Sequence, residues 1–259
     1  MSLNKSAEIL KNRFKATESM IADLHPVEKS LTQSKIQEFQ VQSWVINRAY
    51  IDDILCEALL NSLLQAPKNH IYQKWTTKVI ECLSSYTMES PWVAISELIG
   101  LKKNDIKSHT LNLPVSRLIS KSINTMVANN SWNANIALTI AFLFGMKKSS
   151  AILRMAHSQN SKIITEEVLK EFSLNHAENA AIEELILAIS PELIKTEAEI
   201  ANLFKTIQFI TEGNWIINDG IYMESFYSMD NAKNTQNVAN SSSHSLAFLR
   251  NKATADFLR

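Results

Sequence analysis

The stretch VQSWVINRAYIDDILCEALL, residues 41–60, decides what kind of fold this chain can adopt. Its aliphatic and aromatic side chains fall on nearly every side of a helix with 3.6 residues per turn, which predicts a helix buried at the centre of a bundle. Arg48 interrupts this apolar surface in the middle of the helix. Asp52 follows one helical turn later, so the two side chains share a face and can pair.

An arginine inside such a helix has two interpretations. It is either one half of a buried structural ion pair with Asp52 or Asp53, or the anion-binding floor of a pocket. Taken alone, the residues favour the ion pair, because buried charges persist mainly when they are paired. Both interpretations place Arg48 in the interior.

The composition extends the helical prediction to the whole chain. Four glycines and five prolines in 259 residues are too few for the many turns of a sheet protein. Prolines and cap residues divide the chain into about eight helices, so we predict an all-α protein with one large domain. The predicted helices cover approximately residues 3–24, 34–65, 70–86, 91–100, 112–130, 131 onward, 165–189 and 190–227.

Charge and apolar patterning exclude several classes of partner. The 26 basic residues balance the 26 acidic ones, so no electrostatic argument supports binding to nucleic acid or to an anionic membrane. The longest apolar run, residues 135–146, is too short to span a bilayer, and the N-terminal segment lacks a signal-peptide core. Cys56 and Cys82 have aliphatic neighbours in helical patterns, which fits reduced thiols and a cytoplasmic location.

No catalytic or metal-binding motif is found among the titratable residues. The six histidines form no HExxH and do not pair with carboxylates at helical spacing, so we predict no metal site. The segment GMKKSS, residues 145–150, lacks the strand and second glycine of a phosphate loop and is interpreted as a helix joint with solvated lysines. There is no GxSxG, and Cys82 has no identifiable base.

The last 32 residues, 228–259, differ in composition from residues 1–227. The stretch NAKNTQNVANSSSHS has few groups that can bury area against the entropy of ordering, which predicts a loose tail. Four apolar residues near its end favour docking on the bundle, with a fully disordered tail as the alternative; they are Leu246, Phe248, Leu249 and Phe257.

A set of short motifs in a fixed order carries a family resemblance. The motifs are HP (25–26), WVINRAY (44–50), Trp75, SELIGL (96–101), LNLPVSR (111–117), SW (131–132) and IQFITEGNW (207–215). Together they resemble PqqC, the pyrroloquinoline-quinone synthase, over residues 15–227. The resemblance implies an all-α, haem-oxygenase-like (PqqC/TenA-like) helical bundle and a homodimer.

The resemblance also suggests a site. The family enzyme works without a cofactor and uses dioxygen to close and oxidise a small polycarboxylated precursor, which its arginines and histidines are suited to bind. By resemblance, Arg48 matches a pocket arginine, while Asp52, Lys78 and Cys82 replace a glutamine, an arginine and a histidine of that pocket. These four are the predicted ligand-binding residues, and the resemblance moves the interpretation of Arg48 towards the pocket.

Most other pocket positions of the family carry different chemistry here. Apolar or small residues stand where the family has Tyr, His, Glu, His, Arg, Tyr, Arg and Lys; they are Ile21, Ala22, Phe142, Ser149, Ile152, Leu169, Ser173 and Ile210. Losing groups that transfer protons and bind anions removes what an oxidative ring closure requires. We therefore predict that pyrroloquinoline-quinone synthase activity is absent.

The sequence is compatible with three functions. The first is a diverged protein that binds or oxidises a small, less anionic organic molecule in the bundle centre, which requires a cavity of about a few hundred Å³ facing Arg48 and Lys78. The second is a non-catalytic interaction or regulatory module with a filled centre. The third, a metal-dependent oxidase, lacks a visible ligand set. Whether the chain is an enzyme at all is not decided by the sequence.

Overall fold

The computed structural model describes residues 3–33, 38–64, 90–108, 111–128, 132–173 and 196–235, with residues 73, 76, 77, 79–81 and 194 in addition. These residues form helices joined by short turns, and no strand occurs among them. The all-α prediction is confirmed. The helices within the described ranges are α1 (Leu3–Ala22), α2 (Pro26–Leu31), α3 (Glu38–Leu64), α4 (Pro91–Leu98), α5 (Lys103–Lys107), α6 (Pro114–Ala128), α7 (Trp132–Ser158), α8 (Glu166–Ser173) and α9 (Glu197–Thr235).

Prolines mark the starts of several helices. Pro91 and Pro114 are the first residues of α4 and α6, where the missing N–H of proline costs nothing. After α4 the chain turns at Gly100, whose φ of 79° lies in the left-handed region that glycine adopts without strain. The sequence predicted these boundaries to within one or two residues.

The helix containing Arg48, α3, lies at the centre of the bundle. It packs against α6, α7 and α9. Its residues Trp44, Val45, Ile51 and Leu55 are almost completely buried. The prediction of a central helix that is apolar on most sides agrees with this packing.

The long helix α7 forms a second wall of the core. Its stretch Asn135–Ser158 is long and apolar enough to cross a membrane, yet 83% of its most apolar window is buried inside the bundle. This stretch of 24 residues is longer than the apolar run 135–146 on which the sequence argument against a membrane span was based. Burial against neighbouring helices is typical of the core helix of a bundle.

Two motifs of the family resemblance contact each other in the fold. The side-chain oxygen of Asn47 on α3 accepts hydrogen bonds from the backbone N–H of Leu113 at 3.0 Å and from the hydroxyl of Ser116 at 2.8 Å. Both donors lie at the start of α6, so Asn47 satisfies groups that a helix start leaves without partners. The motifs WVINRAY and LNLPVSR therefore hold α3 and α6 together.

Three expectations about helix boundaries are corrected by the structure. Pro26 begins the short helix α2 instead of merely ending α1, because His25 accepts from the N–H of Val27 and Glu28 accepts from the N–H of His25. The GMKKSS segment, residues 145–150, lies inside α7 and is no helix joint. Helix α9 continues to Thr235, beyond the end at residue 227 that the sequence predicted for the last helix.

Candidate functional site

Arg48 and Asp52 form a buried ion pair. Nη2 of Arg48 lies 2.5 Å from Oδ1 of Asp52, and the side chains are 10% and 0% exposed. The other carboxylate oxygen of Asp52 accepts a 2.9 Å hydrogen bond from the indole N–H of Trp92. Both oxygens of this buried carboxylate therefore have a donor, as a charge removed from water requires.

The burial of Asp52 changes its acidity. Desolvation raises the pKa of the Asp52 carboxyl to about 6, although Arg48 and the Trp92 hydrogen bond act in the opposite direction. Neighbouring Asp53 adds a smaller contribution that also raises it. The carboxyl is thus ionised near neutral pH but becomes protonated under mildly acidic conditions.

The guanidinium of Arg48 is held on two further sides. Nη1 donates to the side-chain oxygen of Asn214 on α9 at 3.1 Å. On α7 the guanidinium lies against Gly145, where an added Cβ would be 2.1 Å from Nη2. Gly145 is therefore required by a close approach between α3 and α7, a role that the sequence motif did not indicate.

A second ion pair lies close to the first. Nζ of Lys148 is 2.7 Å from Oε2 of Glu28, and both side chains are largely buried, at 13% and 7% exposed. Desolvation lowers the pKa of the Lys148 ammonium; Glu28 opposes this, and the nearby charge of Arg48 adds to it. The expectation of solvated lysines is therefore wrong for Lys148, whereas Lys147 is exposed and pairs with Glu18.

A small cleft opens beside these charges. Its walls come from α2, α3 and α9. Its free volume is about 20 Å³, enough for roughly one ordered water. The buried Nε of Arg48 has no hydrogen-bond partner within the described part of the chain, and Asn218, which is 5% exposed, lines the cleft nearby. The lining residues are Glu28, Trp44, Asn47, Arg48, Ile51, Asn214, Ile217, Asn218 and Ile221.

His25 lies at the edge of this region and is fixed in one tautomer. Its Nδ1 accepts from the N–H of Val27 at 3.1 Å, so the proton is on Nε2, which is 3.0 Å from Oδ1 of Asp219. The ring also stands edge-on to Trp215, with centroids 4.9 Å apart. These contacts assign His25 a structural role at the junction of α2 and α9.

The structure brings together half of the predicted ligand-binding set. Arg48 and Asp52 are neighbours, whereas Lys78 and Cys82 lie outside the described residues, as does Trp75 of the resemblance. Several replaced pocket positions are buried in the core: Ile21, Phe142, Ser149, Ile152 and Ile210. Leu169 is half-buried, Ala22 is exposed, and only the backbone of Ser173 is described.

Metal ligands do not cluster in the part of the chain that the structure describes. No group of three or more His, Cys, Asp or Glu side chains lies close enough there to hold an ion. The carboxylates near the cleft are instead paired with cations, Asp52 with Arg48 and Glu28 with Lys148.

Sequence reasoning missed Trp92, Gly145, Lys148 and Asn214 as neighbours of the Arg48 site. Only Arg48 and Asp52 are close in sequence, at i and i+4, where helix geometry alone brings them together. The other contacts join residues far apart along the chain. A glycine in the middle of an apolar helix was the one local signal available for Gly145.

Comparisons with known proteins agree with this architecture. No family model matches the chain. It is 22% identical over 202 residues to the pyrroloquinoline-quinone synthase of Acinetobacter baumannii (strain ACICU), covering 76% of this chain and 79% of that protein. It is 20% identical over 208 residues to the synthase of Gluconobacter oxydans (strain 621H), covering 76% and 83%.

Solved structures give the fold. A TenA homologue from Pseudomonas syringae pv. tomato superposes with a TM-score of 0.68 at 12% identity, covering 86% of this chain and 96% of that one. A TenA homologue from P. horikoshii OT3 gives a TM-score of 0.60 at 11% identity, covering 84% and 98%. The predicted resemblance to PqqC and the predicted TenA-like, haem-oxygenase-like bundle are both confirmed.

Proposed function

We propose that this chain is a non-catalytic relative of the pyrroloquinoline-quinone synthases, in which the helical bundle serves as an interaction or regulatory module. The supporting observation is that Arg48 is already engaged by groups of the protein itself. Asp52 accepts a hydrogen bond from Nη2 of the guanidinium, and Asn214 accepts one from Nη1. A substrate carboxylate would have to displace a buried carboxylate that has no other cation in the described contacts.

The electrostatics of the cleft support the same proposal. Arg48 is paired with Asp52, and Lys148 is paired with Glu28, so both of these cations already have an anionic partner within the chain. A site that binds a polycarboxylate needs a surplus of cationic donors. The room beside Arg48, about 20 Å³, is also far below the several hundred Å³ typical of small-molecule pockets.

Two assays on the purified full chain test this proposal. Incubated in air with the polycarboxylated precursor of the synthases, the chain is expected to give neither oxygen uptake nor quinone absorbance, while the Acinetobacter enzyme serves as the positive control. The precursor is likewise expected to leave the melting temperature unchanged, because a ligand that binds the native state would raise it. Turnover would refute the proposal, as would a rise in melting temperature that Arg48→Ala abolishes.

A second candidate function is the binding of a small neutral molecule at the cleft, which requires its walls to move apart, because the cleft as it stands holds roughly one water. The observation that favours it is the Nε of Arg48, a buried donor without a hydrogen-bond partner in the described residues, because buried polar groups normally have partners. Native mass spectrometry of protein purified from its own host would detect a retained molecule. Asn218→Leu should abolish such an adduct, whereas Leu118→Ala on the exposed side of α6 should leave it unchanged.

A further inference from the structure

Two cations from different helices lie near each other at the cleft. Gly145 on α7 lies directly against the guanidinium of Arg48, and Lys148 follows Gly145 by about one helical turn on the same side of α7. Desolvation lowers the pKa of the Lys148 ammonium, and the charge of Arg48 lowers it further. Two like charges buried this close together need an anion beside them.

Glu28 on α2 supplies an anion at this place. It lines the cleft together with Arg48, and its Oε2 lies 2.7 Å from Nζ of Lys148. The same oxygen accepts a 2.9 Å hydrogen bond from the backbone N–H of His25. The exposed carboxylate of Asp23 acts on Lys148 more weakly than Glu28 does. Without Glu28, the buried groups at the cleft would carry an excess of positive charge among the described residues.

Both cations have a donor that an anion can use once Glu28 is withdrawn. Nη2 and Nη1 of Arg48 already donate to Asp52 and Asn214, whereas its buried Nε has no hydrogen-bond partner in the part of the chain that the structure describes. Nζ of Lys148 is the donor that Glu28 itself uses. A carboxylate suits this pair of donors, because its two oxygens can accept from both cations at once.

Helix α2 is the least firmly anchored wall of the cleft. It has six residues, whereas α3 and α9 have 27 and 39, and the non-helical residues 23–25 separate it from α1. Its buried apolar side chains are Val27 and Leu31. Local opening begins in such short elements with few buried apolar contacts. Opening of α2 would carry Glu28 into solvent, whereas Asp52 is fixed in the middle of α3.

We propose that Arg48 and Lys148 form a binding site for a small carboxylate, and that Glu28 of α2 occupies this site as an internal competitor. While α2 is in place, the buried charges balance and a free anion is excluded. When α2 opens, the excess of positive charge binds a free carboxylate in place of Glu28. A group that draws α2 away from α9 would therefore expose the site. This inference goes beyond the proposed function, because it requires no catalysis and leaves the site closed in the wild type.

Chemical rescue of a Glu28 variant tests the site. In the full chain, Glu28→Ala removes the competitor and leaves room for a free carboxylate. The melting temperature is measured near neutral pH in sodium acetate, in sodium chloride of equal concentration, and in that sodium chloride with acetamide, a neutral molecule of similar shape. Acetate at ~100 mM should raise the melting temperature of Glu28→Ala by at least about 2 °C over the other two, because it binds the native state. The wild type should not respond, since a carboxylate on the same chain competes better than a free one.

Further variants identify the two cations. Glu18→Ala is the matched control, because Glu18 pairs with an exposed lysine of the same helix α7, and acetate should not stabilise this variant. Adding Lys148→Met to Glu28→Ala should abolish the response to acetate. Adding Arg48→Met with Asp52→Leu to Glu28→Ala should reduce the response by about half or more, because one of the two cations is then absent.

Several outcomes would overturn the inference. Equal melting temperatures of Glu28→Ala in acetate and in chloride would mean that the two cations bind no carboxylate, and an equal rise for Glu18→Ala would mean a general effect of acetate. A wild type that responds as strongly as Glu28→Ala would mean that Glu28 is no competitor.

If Glu28→Ala folds in neither salt, Glu28→Gln decides. Its amide competes for cations less well than a carboxylate, so acetate should raise its melting temperature over chloride, and no rise would overturn the inference. The proposed function is tested separately, on the wild type with the precursor, so either proposal can fail without the other.

Discussion

Two regions of the molecule show the reverse of the usual distribution of charged and apolar side chains: the interior around Arg48 and the outer face of α9. That face carries Phe209, Trp215, Ile216, Tyr222 and Met223. Four charged side chains are buried near the cleft, and each is paired with an opposite charge. On the outer face, five large apolar side chains are exposed to solvent. Paired charges inside hold helices together, whereas apolar groups outside invite a partner. The contrast supports the proposed function, in which the surface and not the centre carries the interactions.

The largest expected effect comes from breaking the buried ion pair. Arg48→Ala leaves the Asp52 carboxylate buried without its cation, which should lower the free energy of unfolding by about 3–5 kcal/mol. Urea denaturation measures this change, with Lys121→Ala on the exposed side of α6 as the control. Replacing both partners, Arg48→Met with Asp52→Leu, should recover much of the loss. An Arg48→Ala variant as stable as the control would mean that the pair contributes nothing.

The next effect concerns pH. Since the folded pKa of Asp52, about 6, lies above the ordinary value of 3.8, folding favours the protonated carboxyl. The resulting stabilisation is complete below about pH 4 and is lost as the pH rises through 6. Relative to Asp52→Asn, the free energy of unfolding of the wild type should fall by about 2–3 kcal/mol between about pH 4 and 7. A difference that is constant across this range would contradict the raised pKa.

A smaller effect is expected at the contact between α3 and α7. Gly145→Ala places a methyl group against the guanidinium of Arg48, which Asp52 and Asn214 prevent from moving away. Gly220→Ala is the matched control, because its Cβ would meet only side-chain methyl groups, at 3.1 and 3.2 Å. Both substitutions replace glycine by alanine inside a helix, so the gain in helix propensity is the same and cancels in the comparison. In thermal unfolding, Gly145→Ala should be less stable than Gly220→Ala by about 1–3 kcal/mol.

The smallest effect is expected on the outer face. Tyr222→Ser should change the free energy of unfolding by no more than about 1 kcal/mol, because surface side chains contribute little to folding. The free energies of unfolding of Tyr222→Ser and Arg48→Ala, measured under the same conditions, compare a surface side chain with a buried one. A loss as large as that of Arg48→Ala would mean that Tyr222 belongs to the core.

The sequence predicted those features that depend on local spacing. Pro91 and Pro114 mark helix starts because proline geometry acts within one turn, and Arg48 pairs with Asp52 because four residues form about one turn. The start of α2 at Pro26 was not predicted, because histidine is not among the usual residues that cap the start of a helix. The fold itself was predicted from a set of ordered motifs, although none of them is specific alone.

The remainder of the site depends on how helices pack. Asn214 and Gly145 reach Arg48 from helices far away in sequence, and no periodicity indicates which helices become neighbours. Lys148 was interpreted as solvated because its pattern inside α7 does not reveal the buried carboxylate of Glu28 on α2. Such contacts are set by the tertiary structure, so they could not be predicted from residue spacing.

The Arg48–Asp52 pair also has an evolutionary consequence. Loss of the arginine strands an anion in the core, and loss of the aspartate strands a cation, so either single change passes through a less stable protein. The resemblance places a neutral glutamine at position 52 beside the same arginine, so the acidic residue at this one position is what turns an arginine able to hold an anion into half of an internal ion pair.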